Sequence, residues 1–107
     1  MEIETLKPDF KILSTLDARG VIVTAKGDDA DFVSRCFFPP SGIDEDPVTG
    51  SAHTTLTPYW ATLLGKNILS ANQISSRGGN LYCTLQSDRV LIGGYATLYL
   101  EGRIYVP

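Results

Sequence analysis

The sequence predicts an α+β fold: one long helix buried against a sheet of five to seven strands, with an antiparallel meander in the second half. Three observations predict it. Ala52, Leu56, Tyr59, Trp60, Leu63 and Leu64 recur at helical spacing and define one apolar face. The runs over 21–25 and 32–38 are rich in β-branched and aromatic residues. Beyond residue 80 apolar residues alternate with polar ones, the period of a half-buried strand.

In chain order, residues 1–7 are a polar lead. Pro8 opens a short helix carrying Phe10, Leu13 and Leu16, because proline is tolerated at a first helical position. A turn at 17–20 leads to the strand over 21–25, and an acidic loop over 26–31 leads to the strand over 32–38. Pro39-Pro40 ends that strand, since proline gives no N–H to a ladder. Residues 41–49 read as a loop carrying acids. The long helix spans 50–64, bends near Pro58, and is capped by Gly65. Short strands follow over 73–75, 81–86 and 89–92, with turns at Arg77-Gly78-Gly79 and Ser87-Asp88. Residues 95–100 alternate again, and 103–106 extend or follow that strand. Tyr82, Tyr95 and Tyr99 face away from the core positions and mark a possible contact surface.

A length of 107 residues gives a single domain, 1–107, with a modest core. The net charge is −3 with no basic cluster, which argues against nucleic acid as a partner. No apolar run approaches the ~20 residues of a membrane helix, and the acidic N-terminus lacks a signal-peptide pattern, so a cytoplasmic protein is expected. Cys36 and Cys83 sit in apolar strand runs and read as buried free thiols. The single histidine and scattered acids give no metal constellation.

Chemistry concentrates at Asp44-Glu45-Asp46-Pro47-Val48-Thr49-Gly50-Ser51-Ala52-His53. Acids are held just ahead of a buried helix whose first N–H groups lack partners, and such a start attracts anions. A carboxylate beside an anion site is an arrangement for moving a proton on an acidic substrate. The bland reading is an ordinary N-cap, Thr49 or Ser51, with acids favouring the dipole. His53 reads either as a proton carrier facing a cleft or as hydrogen-bonded structure. Arg77 reads either as a carboxylate partner or as a solvated turn residue.

This block, together with Phe32-Val33-Ser34-Arg35, Phe37-Phe38-Pro39, Pro58-Tyr59-Trp60, Ser76-Arg77-Gly78-Gly79 and Val90-Leu91-Ile92-Gly93-Gly94, resembles the C-terminal half of the phenazine-biosynthesis PhzF-like proteins. The resemblance implies one half of a diaminopimelate epimerase-like fold, a curved, mostly antiparallel sheet wrapped around the central helix. It implies a cofactor-independent isomerase in which Asp46 is an acid or base and Gly50 and Ser51 cradle a substrate carboxylate. The family's glutamate and partner histidine belong to an N-terminal half that nothing in this sequence matches. The expected partners are therefore a small carboxylate-bearing molecule and either a second copy or a complementary N-terminal-half chain. The alternative is a small-acid-binding module, or an orphan half-gene product without activity.

Overall fold

The computed structural model describes residues 2–107; Met1, part of the expected lead, lies outside them. Its elements are α1 (Phe10–Leu13), β1 (Val21–Lys26), β2 (Phe32–Phe38), a 3-10 turn (Pro39–Ser41), β3 (Ile43–Asp46), α2 (Gly50–Leu64), β4 (Ile68–Gln73), β5 (Gly79–Gln86) and β6 (Arg89–Gly93). The sheet is six-stranded and mixed, in the order β1-β2-β4-β5-β6, with β3 pairing β2 off this path. Four pairings are antiparallel, and β2–β4 is parallel. A parallel pair needs a crossover, and that crossover is β3 plus α2, so the acid-bearing stretch lies in it.

α2 packs across one sheet face. Phe32, Leu56, Trp60, Ala61, Leu69, Ala71, Leu81 and Cys83 form its core. Phe32 stacks on Trp60 at 5.7 Å between ring centroids, and the indole N–H donates to Thr24 Oγ1 at 2.9 Å. That bond satisfies the one polar atom Trp60 brings into the core. The buried stripe of α2 is Ala52, His53, Leu56, Thr57, Trp60 and Ala61. Tyr59 and Leu63, expected on this face, stand mostly in solvent. They lie one step round the helix from the stripe that meets the sheet. α2 runs unbroken past Pro58 and ends at Gly65 in the left-handed conformation, φ 65°. Among the described residues no helix is long and apolar enough to cross a membrane.

Four further expectations change. α1 begins after Asp9, whose side chain accepts from the Ile12 N–H at 3.1 Å, not at Pro8. The acid loop is partly a strand, because β3 pairs with β2 and puts Asp46 opposite Cys36. The strand expected over 73–75 lies instead at 68–73, where Leu69, Ala71 and Gln73 point inward. Residues 94–107, expected to hold one or two strands, pair with no strand among the described residues. Cys36 and Cys83 are free and buried, as read from their apolar runs.

Candidate functional site

The last residue of β3, Asp46, is joined to the first turn of α2 by Pro47, Val48 and Thr49. Thr49 is the N-cap residue, yet its side chain does not cap the helix. Its hydroxyl turns back and donates to Asp46 Oδ2. No other side chain holds the carboxylate among the described residues.

Gln73, at the end of β4 and fully buried, fixes the direction of that bond. The Thr49 backbone N–H can only donate, so the atom 2.7 Å away is the amide oxygen Oε1. Nε2 then donates to the Asp46 carbonyl at 2.9 Å and to Thr49 Oγ1 at 3.0 Å. The hydroxyl oxygen is occupied as an acceptor, and its own proton is directed to Asp46. The Asp46 oxygen is thereby held as an acceptor.

His53 closes the arrangement from below. Nδ1 lies 2.6 Å from the Thr49 carbonyl oxygen, which can only accept, so Nδ1 carries the proton. Nε2, 3.3 Å from Ser34 Oγ, is then the acceptor. Burial pushes the imidazole pKa down, opposed by the Thr49 bond. His53 is a neutral ring stacked near Phe32. It has no exposed surface, so of its two readings the hydrogen-bonded one fits: the ring supports the helix start from inside and does not face a substrate.

Gly50 and Ser51 are exposed, and a Cβ at position 50 would meet nothing within 4 Å. Gly50 lines a groove of about 490 Å³ whose walls also include Val48, Arg77, Gly79, Asn80 and Tyr95. Arg77 sits at its rim on the turn where Gly78 takes φ 75°. Gly79 has to be glycine, because a Cβ there would come within 2.5 Å of Val48 Cγ2. The geometry thus places Gly50 and Arg77 on one groove, with Ser51 beside Gly50 and Asp46 a short loop away.

Sequence reasoning missed Arg35 and Glu45. Arg35 Nε and Nη2 grip the Glu45 carboxylate at 2.8 and 3.0 Å, and Nη1 donates to the carbonyls of Ile3, Glu4 and Leu6. The lead is therefore stapled to β2 and to the residue before Asp46. Desolvation lowers the arginine pKa, but the larger effect of Glu45 raises it. The signal was present: a charged residue amid Phe-Val-Ser-Arg-Cys-Phe-Phe demands a buried partner. Cys36 is fully buried, and its thiol is pushed up to about 11, chiefly by burial. No cluster of His, Cys, Asp or Glu suited to a metal ion gathers among the described residues.

The family model for phenazine biosynthesis-like proteins matches residues 1–102. The chain belongs to this PhzC-PhzF family. An uncharacterized isomerase of Pseudomonas aeruginosa is 56% identical over 102 residues, covering 95% of this chain and 39% of that protein. A phenazine biosynthesis-like domain-containing protein of Mus musculus is 45% identical over 113 residues, covering 95% and 39%. A PhzF-family crystal structure from Enterococcus faecalis superposes with a TM-score of 0.87 at 52% identity, over 97% of this chain and 40% of that one. The chain thus spans about two fifths of the length of these PhzF-family relatives.

Proposed function

We propose that the chain is the Asp46-bearing part of a PhzF-like isomerase site, shuttling a proton on a small carboxylate-bearing substrate. The carrying observation is the behaviour of Thr49. It leaves the helix amides uncapped and holds Asp46 as an acceptor instead. In this reading the Gly50 and Ser51 amides receive a substrate carboxylate, helped by the helix dipole, and Asp46 takes or returns the proton. Arg77, on the same groove, pairs with a further acidic group. The family resemblance supplies the reaction class, and the reading calls for no cofactor. It requires an opposing acid or base from outside these residues, because His53 is sealed in the core.

That last point also favours a second reading, a small-acid-binding module without catalysis. One experiment separates the two. The chain is assembled with a complementary partner and given candidate carboxylic acids in D2O, and exchange of the substrate proton is followed by NMR. Asp46→Asn keeps the shape and removes the charge. The isomerase reading expects a loss of about 10²–10⁴-fold, the usual contribution of a placed acid or base. Binding that persists with no exchange in either protein supports the module.

A further inference from the structure

Thr49 is pinned at every polar atom it has. Its N–H donates to Gln73 Oε1 at 2.7 Å, and its carbonyl accepts from His53 Nδ1 at 2.6 Å. Its hydroxyl oxygen accepts from Gln73 Nε2 at 3.0 Å, and its hydroxyl proton goes to Asp46 Oδ2. Thr49 is buried, and Gln73 and His53 are more fully buried still. Turning the hydroxyl away from Oδ2 would break a buried hydrogen bond to a charged group. The Cys36 thiol also lies beside Thr49, but sulfur is a weak acceptor and does not compete with a carboxylate.

The two oxygens of Asp46 are therefore unequal. Oδ2 is committed to Thr49. Oδ1 takes no hydrogen bond among the described residues, and no buried side-chain oxygen among them lacks a partner, so Oδ1 meets solvent. The neighbouring carboxylate, Glu45, has both oxygens gripped by Arg35. A proton arriving on Oδ2 would set two donors head to head, whereas a proton on Oδ1 disturbs no bond. We propose that Gln73 is a positioning residue that acts through Thr49: it commits Oδ2 to the Thr49 hydroxyl and leaves Oδ1 as the oxygen that takes and returns the substrate proton. Gln73 touches no substrate. Its amide orders the hydroxyl before the substrate arrives, so no reorganisation accompanies the transfer.

The proposal rests on the isomerase reading, and two measurements keep the two apart. The first uses no substrate. Neutron diffraction from crystals of the deuterated chain at neutral pH should show the Thr49 hydroxyl deuteron directed at Asp46 Oδ2. The two Gln73 Nε2 deuterons should point to the Asp46 carbonyl and to Thr49 Oγ1. A Thr49 deuteron directed elsewhere, or a deuteron on Oδ2, overturns the proposal and leaves the isomerase reading standing.

The second is substrate-proton exchange in D2O, in the assembly used to test that reading. Thr49→Val keeps the shape and removes the hydroxyl. It should lower kcat roughly tenfold, the weight of one hydrogen bond to a charged group, with KM unchanged, because the Gly50 and Ser51 amides are untouched. Thr49→Ser keeps the hydroxyl and should restore kcat. Gln73→Met, uncharged and of similar length, frees the hydroxyl to turn and should also lower kcat. The double variant T49V/Q73M should lose less than the product of the two single losses, because Gln73 acts through the hydroxyl. A Thr49→Val variant with wild-type kcat, a change in KM alone, a serine variant as slow as the valine one, or a full product of losses overturns the proposal. A wild-type assembly that exchanges no substrate proton ends the isomerase reading, and the role of Oδ1 with it, even where the deuterons lie as expected.

Discussion

Between Asp46 and His53 the chain is held by itself; between Gly94 and Pro107 it is not. In the first stretch Asp46, Thr49 and His53 each bond to groups on β2, β4 or the helix start, and no buried side-chain polar atom among the described residues is left unpaired. In the second, tyrosines, leucines and an isoleucine with strong strand preference stand in water without a ladder. Strand propensity describes fitness for a pleated surface, and a strand still needs a neighbour. The loop that looked irregular is ordered because its partners lie within the chain. The segment that looked regular has no ladder among the described residues.

Substitutions sharpen that contrast. Phe32→Ala removes a fully buried ring stacked between Trp60 and His53. It is expected to cost about 3–5 kcal/mol in urea unfolding. Gln73→Leu, similar in size, strips partners from the Thr49 N–H, the Thr49 hydroxyl and the Asp46 carbonyl. A loss of about 2–3 kcal/mol is expected, with faster hydrogen exchange at the Thr49 amide. Retained exchange protection there would show that the amide of Gln73 is not what holds the loop.

His53 gives a pH test of the same region. Its folded pKa lies below the unfolded value of about 6.5. Below that pH the unfolded chain binds a proton that the folded chain refuses. Stability is therefore full above about pH 6.5 and declines as pH falls, until the folded pKa is reached. His53→Gln, which cannot titrate, should flatten that decline between pH 7.5 and 5.5 in urea titrations, whatever its effect at neutral pH. Smallest of all is Leu100→Ser in the unpaired segment 94–107, where the side chain is 80% exposed; it is expected to leave urea unfolding unchanged within about 0.5 kcal/mol. A larger loss would mean that this segment packs on the rest of the chain.

How much of this was legible follows the same division. The helix over 50–64 was readable because Leu56, Trp60 and Gly65 supply both period and stop. β2 was readable from its apolar run. β4 is hard to place from sequence because its alternation breaks at both ends, with apolar Ile68 facing out and polar Gln73 facing in, and the inward residue Ala71 is small. The candidates Asp46, Gly50, Ser51 and Arg77 were named from pattern and resemblance. The orientation of Gln73, the sealing of His53 and the Arg35 staple depend on strands distant in sequence, and local periodicity carries no trace of them.

The parallel pairing of β2 with β4 has a kinetic consequence. The loop bearing Asp46 lies inside the connection between these strands, and the Thr49–Gln73 bond joins residues 24 apart. Closing such a connection loses chain entropy before any contact compensates it. Sheet closure and site formation therefore belong to one cooperative step. An opening that frees Thr49 also frees the edge of β4 at Gln73, so the two amides should exchange with solvent together, as a single unit of local unfolding.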